Sequence, residues 1–378
     1  MLFLQPSRKG LARERAMRVA SDRALLRFVN GLSRLLDGRQ PLVGKTPKDV
    51  VFKEGKLEVW RYRTPKEPAI ALGTEEWVVS NKPVRVPLLI IPPLMVRPYV
   101  YDLRPGHSLV EFFAASGFDT FLVDFGEPDQ SDAHVRLDDY VLSFVPAALK
   151  AVRAASGSRA VSILGYCLGG IFGLLYSAAW HDPDIAAIVT VGAPIDFRKM
   201  GILSVFAKTA QGQVSRLSRR IGNIPGGLSA TGLKLITPLK MVTRYADLFV
   251  NLWDDEFVKG YDSINHWMND FIDYPAAAFQ QFFGELMVGN KLVSGDLKFG
   301  DRVANLKDVR CPVLSFAGED DKVAAPASAK EIQAAVGSSD LEYHLVPGGH
   351  IGVIAGGSAP ERVWKPSATW LRAKTEGG

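Results

Sequence analysis

Apolar runs of strand length alternate with stretches of helical periodicity through most of this chain. The segment "DVVFKEGKLEVWRYR" (49–63) alternates at Leu57 and Val59 and reads as a hairpin turning at Glu54-Gly55. "VRVPLLIIPPL" (84–94) is continuously apolar and stops at a Pro-Pro pair, which suits a strand buried on both faces. "DTFLVDF" (119–125) and "AVSILGY" (160–166) repeat the theme. Helical stretches separate these runs at Leu109–Ser116, Leu137–Ala155 and Leu168–Ala179. Further strands are expected at Ala187–Val191, Val313–Ala317 and Leu341–Val346. A helix over Ala327–Val336 precedes the last strand, and another over Glu361–Lys374 closes the chain. This alternation predicts an α/β fold with a mostly parallel sheet covered by helices on both faces.

Two segments break the rhythm. Residues 197–300 have few strand-like runs and carry Trp253, Trp267, Phe271, Tyr274, Phe279, Phe282 and Phe283 at mostly helical spacing. They read as a helical insertion between two sheet strands. Its aromatics are either the core of a structural subdomain or part of a cap that controls access to a site; the place of insertion favours the cap. At the N-terminus, Leu25, Phe28, Val29, Leu32, Leu35 and Leu36 recur at helical spacing with Arg23, Arg27 and Arg34 between them. The expected organisation is a basic amphipathic segment (1–45), a core (46–196 and 301–378) and a cap (197–300). The basic helix either packs on the body or docks to a partner.

Composition narrows the class. The chain has 378 residues, 47% hydrophobic and 22% charged, as expected of a globular protein with a large core. The longest apolar stretches fall short of the ~20 residues that a membrane span needs. The start lacks the apolar region of a secretory signal, so a cytoplasmic location is expected. Two cysteines, with no CxxC and no HExxH, predict neither a disulfide framework nor a metal site. The net charge is +5, yet residues 1–40 alone hold nine Lys/Arg against three Asp/Glu. The remainder is near neutral, which argues against nucleic acid as a partner.

The chemistry is sought just beyond the carboxyl ends of the strands, where ligands of open α/β sheets bind. After the strand at 161–164 comes "GYCLGG", the layout of a nucleophile elbow with Cys167 at its centre. Side chains two before and two after would clash in so sharp a turn, which explains Gly165 and Gly169. The following helix aims its N-terminus at the sulfur, and its dipole favours thiolate. The Leu168 amide would face a developing oxyanion, with the Met95 amide, after the first buried strand, as the second donor. The plainer alternative is a buried cysteine at a glycine-rich turn. "GEDD" (318–321) follows a later strand and "PGGH" (347–350) the last one. The order nucleophile, acid, histidine is that of the α/β-hydrolase triad. His350 alone among the six histidines has this context. Asp320 and Asp321 both could supply the acid; the Gly-x-x-Asp spacing favours Asp321. A cysteine nucleophile suits acyl exchange from a thioester such as an acyl-coenzyme A, with no cofactor.

At this point the chain resembles the polyhydroxyalkanoate synthases, and within them the class III catalytic subunit. The resemblance is carried by 92–141, by "LGYCLGG", by "GNIPGG" with Trp267, by "FGDRVANLKDVRCPVLSFAGEDDKV" and by "PGGHIGVIAG". It runs from about residue 46 to the C-terminus. It implies an α/β-hydrolase fold and polymerisation of 3-hydroxyacyl-CoA with release of CoA through an acyl group on Cys167. It further implies Asp321 as acid, His350 as base, a second non-catalytic subunit, and a polymer granule surface; a homodimer is left open. Two positions depart from the family pattern. Val96 stands where Asn usually precedes the basic residue, and Lys322 where His usually follows the acid. They motivate the alternative of a Cys-dependent thioesterase or esterase on the same scaffold. A non-catalytic, partner-binding protein is the third reading, motivated by the basic N-terminal helix.

Overall fold

A computed structural model describes residues 42–236 and 238–376, together with Arg23, Leu26 and Arg27. Apart from those three residues, which are helical, the expected N-terminal amphipathic helix lies outside the described residues. The main sheet has eight strands: β1 (Lys48–Glu54), β2 (Leu57–Tyr62), β3 (Leu88–Ile91), β4 (Thr120–Asp124), β5 (Val161–Tyr166), β6 (Ile185–Val191), β7 (Val313–Gly318) and β8 (Leu341–Val346). Their spatial order is β1-β2-β4-β3-β5-β6-β7-β8. β1 and β2 form the expected hairpin, and β2 joins β4 antiparallel. The strands β4-β3-β5-β6-β7-β8 are parallel.

The parallel strands are central because their sequences are apolar on both faces. Leu88, Leu89, Ile90 and Ile91 are all fully buried, two on each side. Each such side chain stabilises the fold by roughly 1.5–3 kcal/mol. One face is covered by α2 (Val145–Ser156) and α3 (Leu168–Trp180), the other by α1 (Leu109–Ala115) and the C-terminal helix Lys365–Glu376. The alternating apolar runs therefore predicted the mostly parallel sheet covered on both faces, as found. The expected helix over Ala327–Val336 is instead two short turns, Pro326–Ala329 and Ile332–Ala335. The buried positions Ala329, Ile332 and Ala335 keep helical spacing, but the backbone tightens at Glu331 (ψ −9°).

Between β6 and β7 the chain is mainly helical. It forms α4 (Ile202–Ile221), α5 (Gly226–Ile236), α6 (Pro238–Asn251), α7 (Asp255–Asn269) and α8 (Ala276–Gln281). This insertion is tied to the core at the loop after β3. Ile272 N donates to Met95 O at 3.1 Å, and Trp267 Nε1 donates to Arg97 O at 3.0 Å. Arg97 pairs with Asp270 at 2.9 Å and Glu127 at 3.0 Å, and Tyr99 donates to Asp270 at 3.0 Å. Trp267 is buried and packs edge-on against Phe271.

Candidate active site

Strand β5 delivers Cys167 through a turn that its glycines permit. Cys167 has φ 53° and ψ −121°, a conformation that costs a non-glycine residue about 1–3 kcal/mol. Two features hold it there. Its amide donates to Val191 O on neighbouring β6 at 2.8 Å, and its carbonyl accepts from Gly170 and Ile171 in the first turn of α3. A methyl group at Gly165 would collide with the Gly169 backbone, and one at Gly169 with the Ile91 carbonyl. The turn can therefore pass close under β3 only with glycine at both places. The sulfur sits at the N-terminus of a 13-residue helix, where the peptide dipoles favour negative charge.

Strands β7 and β8 bring the other two residues to the same place. Glu319 N donates to Val346 O and Asp320 N to Gly348 O, each at 2.9 Å, so the two loops travel together. Asp321 is buried, and its Oδ1 accepts from the amides of Val323 and Ala324 at 2.8 Å each. Its Oδ2 lies 2.7 Å from His350 Nδ1. Asp320, by contrast, points to solvent. The Asp321 contact fixes the ring so that Nδ1 carries the proton toward the carboxylate and Nε2 is presented to Cys167. Burial alone would lower the His350 pKa. The charges of Asp321 and Cys167, with hydrogen bonds to both, outweigh it and raise the pKa to about 10. Tyr166 braces the ring from below, with centroids 5.0 Å apart, and donates its hydroxyl to His350 O at 3.2 Å. Gly192 leaves room for the imidazole, since a Cβ there would stand 3.4 Å from Nδ1.

Of the two expected anion donors, Leu168 opens α3 directly after Cys167, and Met95 stands in the loop after β3. Neither the Leu168 amide nor the Met95 amide enters a backbone hydrogen bond among the described residues. Met95 has φ 64°, a left-handed conformation in the loop that leads from β3 toward α1 and touches the insertion on the way. The remaining histidines serve other ends. His107 is buried against Trp364 with Nε2 2.9 Å from Ala355 O, and burial lowers its pKa to about 4. His134 and His344 are exposed, His181 caps α3, and His266 stacks on Tyr99. Cys311 lies at the opposite end of the sheet, packed against the core, and burial pushes its thiol up to about 11. The brace formed by Tyr166 escaped the sequence reading, although it stands inside the "GYCLGG" box. Nothing in that spacing says that its hydroxyl reaches the histidine loop.

Residues 101–356 match the family described as alpha/beta hydrolase fold. A poly(3-hydroxyalkanoate) polymerase subunit of Allochromatium vinosum is 30% identical over 91% of this chain and 93% of its own length. The corresponding subunit of Haloferax mediterranei is 30% identical over 89% of the chain, which spans 66% of that protein. The chain belongs to the poly(3-hydroxyalkanoate) polymerase family. Among solved structures, a monoglyceride lipase variant from Saccharomyces cerevisiae superposes with a TM-score of 0.54 at 18% identity, covering 89% of this chain and 97% of the lipase. That likeness concerns the fold. The two departures from the polymerase pattern have unlike settings. Val96 is buried in the core beside α1, whereas the Lys322 side chain is exposed. No described helix is long and apolar enough to cross a membrane.

Proposed function

We propose that this polymerase-family chain builds a polyester from 3-hydroxyacyl-CoA through an acyl group carried on Cys167. The observation that carries the reading is the convergence of Cys167, His350 and Asp321 at the ends of three strands, with His350 Nδ1 held 2.7 Å from the Asp321 carboxylate. The Cys167 thiolate attacks the thioester carbonyl, and the Leu168 and Met95 amides receive the developing oxyanion. Collapse expels CoA as a thiolate, which takes the proton from His350. His350 Nε2 then removes the proton from the 3-hydroxyl of an acceptor acyl group. That oxygen attacks the Cys167 thioester, an ester bond forms, and the sulfur leaves as thiolate. Asp321 keeps the imidazole oriented throughout and compensates its charge.

The helical insertion would act as a cap that limits water at the acyl-enzyme, which separates transfer from hydrolysis. No cofactor is needed for this chemistry. A cytoplasmic polymer surface, a second non-catalytic subunit or a second copy of the chain belongs to the same proposal. Exposed apolar residues on the insertion, among them Ile202, Val205, Phe206 and Phe249, support it. The test is a single turnover with 3-hydroxybutyryl-CoA followed by peptide mass analysis. One hydroxybutyryl group on the Cys167 peptide, none on the Cys311 peptide and none in Cys167→Ala is expected. An acyl group retained in Cys167→Ala would contradict the assignment.

A further inference from the structure

Tyr274 occupies a place that the reaction as written does not use. Its backbone exchanges two hydrogen bonds with Ile224, each 2.9 Å, which pins this part of the insertion. Its neighbours Asp273 and Pro275 line a cleft together with Leu94, Met95 and Tyr140. The Tyr274 ring packs against Phe279 and Phe282, at centroid distances of 5.5 and 6.5 Å. The side chain is buried, only 4% exposed.

Its hydroxyl is the anomaly. Among the described residues, Tyr274 has the one buried tyrosine hydroxyl with no hydrogen-bond partner. A buried donor left unpaired is destabilising, and phenylalanine would fill the same apolar space without that cost. Burial, Tyr140 and the charge of Cys167 all hold the phenol pKa well above its ordinary value. The group therefore stays protonated as a donor, within electrostatic reach of the sulfur. Tyr101 and Tyr166, the other buried tyrosines that sense Cys167, spend their hydroxyls on Ile91 O and His350 O.

We infer that Tyr274 is a specificity residue whose hydroxyl donates a hydrogen bond to the oxygen at the 3-position of the acyl group on Cys167. This rests on the proposed acylation of Cys167 by a 3-hydroxyacyl-CoA. An acyl chain without that oxygen leaves the phenol unpaired, as it is in the free protein. A site with a buried polar group discriminates strongly against an analogue that cannot pair with it.

The test compares Tyr274→Phe with the wild type, using 3-hydroxybutyryl-CoA and butyryl-CoA and following the first equivalent of CoA released. The variant should acylate at least ~10-fold more slowly with the hydroxy substrate and at an unchanged rate with butyryl-CoA. Its urea midpoint should hold or rise, because an unpaired hydroxyl has been removed. An unchanged ratio between the two substrates overturns the inference. So does an equal loss with both substrates accompanied by a lower midpoint, which is the signature of a structural role. A wild type that releases no CoA from either substrate overturns the proposed function and the inference with it; normal release with an unchanged ratio overturns only the role of Tyr274.

Discussion

His350 carries a proton that the unfolded chain would release. Its pKa rises from 6.5 to about 10 because Asp321 and Cys167 outweigh the effect of burial. A raised folded-state pKa stabilises the protein fully below the unfolded value of 6.5, and the gain is lost as pH rises through about 10. The difference in unfolding free energy between wild type and His350→Gln should therefore shrink between about pH 7 and pH 10.5 in urea titrations. A gap that stays constant over that range would show that the pair does not store the proton. At this scale the sequence was informative where backbone geometry demands a residue type, as at Gly165 and Gly169 on either side of Cys167. It was silent where a side chain acts through space. Asp320 and Asp321 are adjacent and chemically alike; the Gly-x-x-Asp spacing favoured Asp321, and the two loop amides and His350 show what that side chain does. Tyr274 carries no mark at all, because its character lies in the absence of a partner.

Glycines test the elements in two opposite senses. A Cβ at Gly169 would run into the Ile91 carbonyl, so α3 could no longer approach β3. Gly169→Ala should cost ~3 kcal/mol or more in chemical denaturation, at the upper end for overpacking. Gly212, inside α4, has open space around its missing Cβ. Gly212→Ala should stabilise by ~0.5–1 kcal/mol, the helix-propensity gain alone. Equal effects at the two positions would refute the close packing of α3 under β3. The buried strands were readable because their apolar runs are continuous and end at glycine or proline. Their lateral order was not, since β4 lies between β2 and β3 through long-range pairing alone. The short hairpin Ala69–Leu72/Glu75–Val78 was missed as well; its four-residue strands are too brief to show a period.

The whole molecule depends on how the insertion meets the core. The Met95–Tyr99 loop, which carries the proposed anion donor, holds the insertion through Arg97, Asp270 and Trp267. Arg97 and Asp270 are each about one-third exposed, so their pairing is screened by solvent. A double-mutant cycle with Arg97→Gln and Asp270→Asn should give a coupling of ~0.2–1 kcal/mol that weakens in high salt. Strict additivity at low salt would mean that this pair does not join the two parts. A helical insertion was legible from the loss of strand runs after residue 197, but its attachment points were not, because they pair residues 170 or more positions apart. The central claim is that acyl groups pass from Cys167 to a hydroxyl rather than to water. Incubation with 3-hydroxybutyryl-CoA, following CoA release and product size together, measures it directly. The wild type should release CoA with formation of a high-mass polyester, and Cys167→Ala should do neither. Free 3-hydroxybutyrate as the sole product would contradict the account.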